Sequence, residues 1–577
     1  MNYNQRIRAR LVYIGILAAA AVLIVSLYTT QVVKGPSYLA KADKQYIRPN
    51  VSLFDRGTIF FSSKDGTKAA AAAVGSGYLI YMNPTQITSP AQTYDALSQY
   101  VKLDKNDFLA KAVKKGDMYE ELVHKVPEDT AGTVKVLTLS GVYVVKETWR
   151  TYPGGSIAAH EIGLIGENST SGSVVGRYGL ESSYQDVLGR TGVGSSVNVF
   201  AQLFSGVKDA MFGGSADSGD IVTTIDPTTQ KYLEQILEKT SEKWKPDEIG
   251  GIVMDPKTGE IIAMGSLPSF DPNDTSSVKD AKVFSNPLVE HVYEMGSIMK
   301  PLTMAMALDT GVETPTSTYD DTGTLTLNTK KISNYDGRAR GVIPMQEILS
   351  QSLNVGAATI AMNVEHKLGA GTMFKYFNSY GLGQKSGIDE PNEATGIISN
   401  LKTGRDIEIA TGAYGQGIAV SPVEMVRALS VLANGGYLVT PHMVKEIDHD
   451  DGTVKKIDAV KSGPVLKKQS VDEVTAMLVK VVDSVIAKAH PDIHFENYSV
   501  AAKTGTAQIA DHVNGGYYPD RYLHSFFGFF PAYDPKYIVF FYQIYPKGAL
   551  YASDTLTDPF SEMTKFLIDY YDVTPDR

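Results

Sequence analysis

Ser297 and Lys300 stand three residues apart, and on a helix that spacing makes neighbours, so the amine can sit beside the hydroxyl. A neutral amine there can take the hydroxyl proton, which makes a serine nucleophile without histidine. Gly296 in front gives a helix start, and a nucleophile in the first turn gains from the backbone donors exposed at that end. Pro301 is tolerated best close to a helix N-terminus, which fits the same placement. The chain has no cysteine, so thiol nucleophiles, thiolate metal sites and disulfides are excluded. No Gly-x-Ser-x-Gly elbow occurs, and an α/β-hydrolase triad therefore has no anchor. His490 and His494 are four apart, but Pro491 lies between them and no Glu follows His490, so they read as a solvated loop and no metal or cofactor is expected.

Taken alone, Ser-x-x-Lys says little, because it recurs at Ser205/Lys208, Ser276/Lys279 and Ser399/Lys402. Lys-Thr-Gly also occurs three times, beginning at Lys257, Lys402 and Lys503. The first is a hairpin turn and the second runs into the charged Arg405 and Asp406. Lys503-Thr504-Gly505-Thr506 differs, since apolar residues on both sides put it inside a strand, where Gly505 lets another backbone approach closely. Ser-x-Asn occurs at Ser196/Asn198 and Ser352/Asn354. Residues two apart on a helix face different ways, so Ser352-Leu353-Asn354 works best in a turn between helices expected over 344–351 and 355–362; the plainer reading is a pair of helix caps. Strand alternation puts Lys503 on the face opposite Thr504 and Thr506, so pattern alone does not aim all three at one ligand.

The elements that must hold these residues follow from periodicity. Asp226 caps an amphipathic helix with Leu233, Ile236 and Leu237 on one face. Gly250 to Met264 reads as a β-hairpin around the turn Pro256 to Gly259, and a helical middle runs from about Met295 to Ala433. Strands are expected over 498–510, 525–530 and 537–545, and a helix over 559–571. The sum is an α+β layering, an antiparallel sheet covered by helices with a helical subdomain.

Before this, Arg6, Arg8 and Arg10 precede an uncharged stretch from Leu11 to Val33, long enough for one membrane helix. The flanking charge keeps residues 1–10 cytoplasmic and sends the rest across, giving a single-pass protein of the plasma membrane with its bulk extracytoplasmic. Residues 34–219 form a mixed N-terminal domain ending in the turn-rich Phe212 to Gly219, and 220–577 the second. With 54 basic and 64 acidic residues the net charge is -10, which lacks the footprint of a nucleic-acid-binding chain.

Ser297-x-x-Lys300, Ser352-x-Asn354 and Lys503-Thr504-Gly505, taken in order, resemble the trio of a penicillin-binding protein. Asp55 to Ile59, Arg150 to His160 and Gly176 to Glu181 look like the pedestal motifs of the monofunctional class B members. Tyr414 to Glu424 and Ala433 to Gly436 resemble the stretch between the second and third catalytic motifs. Residues 61–64 depart from the first pedestal motif, and Met295 stands where the family often has Pro. The resemblance implies a penicillin-binding transpeptidase domain of the serine β-lactamase kind, an elongated pedestal of the dimerisation type, and a serine D,D-transpeptidase that cross-links peptidoglycan stem peptides and is a target of β-lactam antibiotics. It carries Ser297 over as nucleophile, Lys300 as base, Ser352, Asn354 and Lys503 as further catalytic groups, and Thr504, Gly505 and Thr506 as substrate-binding. The backbone N–H groups of Ser297 and Thr506 become the oxyanion hole. It implies a membrane glycosyltransferase and divisome or elongasome proteins as partners, with Ser352 to Gly356 looking more like the division-specific branch. A D,D-carboxypeptidase and a non-catalytic scaffold or β-lactam sensor stay open as alternatives.

Overall fold

The computed structural model describes residues 55–114, 116–168, 173–190, 218–327, 329–490, 495–511 and 513–577. The expected membrane helix over 11–33, most of the turn-rich segment 212–219, Ser196, Asn198, Ser205, Lys208 and His494 lie outside them. Among the described residues no helix is long and apolar enough to cross a membrane.

The chain divides into two compact units. Among the described residues the smaller comprises Asp55 and residues 75–149. The second half of the strand Lys68–Met82 pairs there with Glu120–Val126, and helices Pro90–Leu97, Lys105–Ala112 and Glu128–Val136 supply Leu97, Phe108, Ala131 and Val134 to a core with Ile80, Met82 and Val126.

Residues 56–74 and 150–190 pack with the larger unit, which holds everything from residue 218 onward. Three segments distant in sequence meet here on one carboxylate. Glu181 accepts from Arg56 Nε at 2.5 Å and from Arg150 Nε at 2.6 Å, while Arg150 Nη1 donates to Gly57 O at 2.8 Å. All three side chains are buried, so each charge depends on the others for what water would otherwise supply.

The centre of the larger unit is a five-stranded antiparallel sheet. In chain order its strands are β1 Glu248–Met254, β2 Ile261–Leu267, β3 Ala501–Ala510, β4 Tyr517–Phe530 and β5 Tyr537–Ile544; in space they run β3-β4-β5-β1-β2. The β1–β2 hairpin falls where its Pro/Gly turn puts it. Strand β4 begins eight residues before the expected 525, because its first half is polar and lacks the apolar run that marks the second.

One face is covered by α1 Pro227–Trp244 and α5 Ala552–Tyr570, tied together by stacking of Tyr232 on Phe566 with centroids 4.0 Å apart. Asp226 caps α1 by accepting from Thr229 N at 2.7 Å, and Leu233, Ile236 and Leu237 are buried. Helix α5 corrects the expectation of a start at 559. Pro559 lies inside it, and burial of Leu556, Phe560, Met563 and Leu567 along one stripe outweighs the missing backbone bond.

The other face carries α2 Lys300–Asp309, preceded by a 3₁₀ turn Gly296–Met299, and α4 Lys468–Val481, with α3 Asn354–Leu368 packed behind α2. The helical middle is interrupted by two nested antiparallel pairs. Thr318–Asp321 pairs with Gly341–Pro344, and between them Thr324–Leu327 pairs with Lys330–Ser333.

Candidate active site

The nucleophile candidate sits where the chain turns into a buried helix. Gly296 adopts φ +67°, and a side chain there would press on the Thr506 peptide, so the glycine lets the Ser297 turn approach β3. Ser525 Oγ fixes the preceding residue by donating to Met295 O at 2.8 Å. Pro301 is the second residue of α2, where its missing N–H costs nothing, in line with the sequence.

Lys300 is fully buried, and its Nζ lies 2.9 Å from Ser297 Oγ, 2.6 Å from Ser352 O, 2.8 Å from Asn354 Oδ1 and 3.2 Å from Ser352 Oγ. Burial, and then the charge of Lys503, hold its pKa well below the usual 10.5. The valences agree with a neutral amine. Ser352 O and Asn354 Oδ1 can only accept, and two N–H bonds satisfy them. The lone pair is then left for a hydroxyl hydrogen, and Ser297 Oγ is the nearer of the two hydroxyls.

Ser352 lies between the short helix Gln346–Ser350 and α3, in the turn expected for it. Its φ of +53° is the left-handed region, uncommon for a residue with a side chain, and its bonds to both lysines hold it there. Lys503 Nζ reaches Ser352 Oγ at 3.0 Å and Thr504 O at 2.9 Å. Burial pushes the Lys503 ammonium down to about 7. Ser297, Lys300, Ser352, Asn354 and Lys503 thus form one connected set.

Strand alternation holds through the third motif. Gly505 faces the 3₁₀ turn and Lys503 reaches Ser352, whereas Thr506 faces α5 and its Oγ1 accepts from Ala552 N at 3.1 Å. Because β3 is the edge of the sheet, both faces reach the same opening. Ser297, Ser352, Asn354, Lys503, Thr504 and Thr506 all line a cavity of about 890 Å³. Gly505 lies beneath it, where a Cβ would fall 2.3 Å from Ser525 Oγ and 2.9 Å from Met295 O. Gly505→Ala is therefore expected to cost about 1–3 kcal/mol of stability and to displace the Ser297 turn. Denaturant melts together with acylation rates check this, and an unchanged rate would show that the close approach is not needed.

Two supports have no motif of their own. Ser525 acts through Met295 O, and Ser333 acts through its carbonyl, which accepts from Asn354 Nδ2 at 3.0 Å. A backbone carbonyl leaves no trace in residue identity, so only the fold brings it to notice.

A serine, a buried amine and a second lysine at the edge of a helix-covered antiparallel sheet are the groups a serine acyl transfer needs, and the family model that matches this part of the chain is that of a transpeptidase. Residues 249–561 match the penicillin-binding protein transpeptidase domain, and residues 55–200 match the penicillin-binding protein dimerisation domain. The chain belongs to the penicillin-binding protein family, and its relatives are class B members. Stage V sporulation protein D of Bacillus subtilis (strain 168) is 31% identical over 572 residues, covering 96% of this chain and 84% of its own. The peptidoglycan D,D-transpeptidase FtsI of Buchnera aphidicola subsp. Schizaphis graminum is 25% identical, covering 95% and 92%. Among solved structures, penicillin-binding protein 2X from Streptococcus thermophilus superposes with a TM-score of 0.73 at 24% identity over 90% of this chain and 79% of that one, a likeness of fold.

Proposed function

We propose that the protein is a peptidoglycan D,D-transpeptidase working through an acyl-enzyme on Ser297. The observation that carries this is the buried Lys300 amine, 2.9 Å from Ser297 Oγ with its pKa held low. Ser297 Oγ attacks the carbonyl of the penultimate D-Ala of a stem peptide while its proton moves to Lys300. The C–N bond to the terminal D-Ala breaks, and the proton returns to the leaving amine by way of Ser352, whose hydroxyl lies between Lys300 and Lys503. The acyl ester is then attacked by the amine of a neighbouring stem. That amine gives up a proton, an amide forms, and Ser297 Oγ is protonated again. Backbone N–H groups of Ser297 and Thr506 stabilise the oxyanion, each worth about 3–4 kcal/mol. Lys503, Thr504 and Thr506 take the terminal carboxylate, and Gly505 keeps the strand close to the nucleophile. A β-lactam enters the same route and stops at the ester.

Residues 11–33 serve as a single membrane anchor with residues 1–10 cytoplasmic, and outside the membrane 220–577 serve as catalytic domain and 34–219 as pedestal, of which 56–74 and 150–190 pack with the catalytic part. Work at the division septum, beside a membrane glycosyltransferase and other divisome proteins, extends this reading and rests on the resemblance of Ser352 to Gly356 to the division-specific branch of the family. The test is product analysis with a stem peptide ending in D-Ala-D-Ala. With an amine acceptor present, release of D-Ala is expected to be matched by cross-linked peptide. Hydrolysed peptide alone, with acceptor in excess, would make the protein a carboxypeptidase.

A further inference from the structure

The Asn354 amide is used at both ends, and its ends are not equivalent. Its Oδ1 faces Lys300 Nζ at 2.8 Å and its Nδ2 donates to Ser333 O at 3.0 Å. Turned over, it would present an N–H₂ group to the Lys300 lone pair and occupy the site that must receive the Ser297 proton. The carbonyl of Ser333 forbids this, since a carbonyl can only accept. Whatever fixes Ser333 relative to α3 therefore fixes the polarity of the base.

The next residue does this. Asn334 is 3% exposed; its Oδ1 accepts from Val355 N at 3.1 Å, one of the unpaired donors at the start of α3, directly after Asn354. Its Nδ2 donates to both carboxylate oxygens of Asp321, at 2.9 and 3.1 Å. Asp321 is fully buried, with Arg340 Nη1 3.5 Å from its Oδ2. Arg340 Nε in turn donates to Gln351 Oε1 at 2.6 Å, immediately before Ser352. The nested strand pairs thus hold the Ser352-Leu353-Asn354 turn from both sides, and Asp321 permits one orientation of the Asn334 amide.

We infer that Asn334, oriented by Asp321, is a positioning residue that keeps the Asn354 carbonyl oxygen on Lys300 and so keeps Lys300 able to accept the Ser297 proton. This rests on the acyl-enzyme reading above. Neither Asn334 nor Asp321 lines the cavity, so the effect belongs to the acylation step and not to binding before it.

Asn334→Asp keeps the shape and the acceptor for Val355 N, but sets two carboxyl groups about 3 Å apart, which share one proton until the pH rises well above the ordinary carboxyl range. In the full chain, the acylation rate constant with a labelled penicillin is expected to match the parent's at low pH, where the pair keeps a proton. It is expected to fall below the parent's by about 10-fold or more as pH rises from about 6 to 8, with pre-acylation binding unchanged. The paired exchange Asp321→Asn with Asn334→Asp restores a donor and acceptor and is expected to remove the extra pH dependence. An Asn334→Asp profile that follows the parent's, a loss lying wholly in pre-acylation binding, or an exchange that rescues nothing would overturn the inference. If Asn334→Asp does not fold, the exchange compared with Asp321→Asn alone decides, since only the inference expects the exchange to acylate faster. A parent that does not acylate would instead strike the acyl-enzyme reading.

Discussion

Lys300→Met is expected to lower the rate at which a β-lactam or a D-Ala-D-Ala peptide acylates the proposed nucleophile Ser297 by about 10²- to 10⁴-fold, the range for loss of a general base. Methionine fills the same buried channel without an amine, so the fold survives while Ser297 Oγ keeps its proton. The linked pH effect has a definite sign. Lys300 has its pKa depressed in the folded protein, so below the usual 10.5 the unfolded chain binds the proton the folded chain refuses. Native stability from this group therefore rises with pH across that window, and acylation falls as acid protonates the amine. Lys503→Gln removes the neighbouring cation and is expected to move the acid limb of the acylation profile to higher pH, because Lys503 is the second cause of the depression. Stopped-flow acylation across pH measures both effects; a limb that does not move would mean burial alone sets the Lys300 proton.

Glu181→Ala is expected to destabilise the larger unit by about 3–5 kcal/mol. The carboxylate holds Arg56 at 2.5 Å and Arg150 at 2.6 Å with none of the three in contact with solvent to any useful extent. Removing it leaves two guanidinium groups buried with like charge. Because the site is dry, added salt restores little of the loss. Urea melts of the two proteins measure it, and a difference under about 1 kcal/mol would mean the cluster behaves like a surface ion pair. Activity of the folded fraction is expected to persist, since none of the three residues lines the catalytic cavity.

Much of the site is legible in the sequence because its side chains do their own chemistry at fixed spacing. Ser297 with Lys300, the turn at Ser352 and the strand around Gly505 each follow from periodicity and local geometry. What the pattern missed depended on residues acting through something other than identity. Ser333 works through its carbonyl, and Asn334 and Asp321 work through an amide whose direction only packing sets. Alternation assigned Lys503 and the two threonines correctly to opposite faces. The edge position of β3, a property of sheet order, brings both faces to one cavity. Helix α4 was readable from the spacing of Val471, Val474, Leu478 and Val481, all buried, yet it stood outside the expected elements. The early start of α5 was hidden by Pro559, whose local preference is overridden by burial of the helix stripe.

The central claim is that Ser297 is the residue acylated. A labelled penicillin incubated with the full chain and followed by intact mass and peptide mapping tests it most directly. One equivalent of label is predicted on the peptide containing Ser297, with none on Ser297→Ala. Label on Ser297→Ala as strong as on the native protein, or an adduct mapped to another serine, would contradict the account.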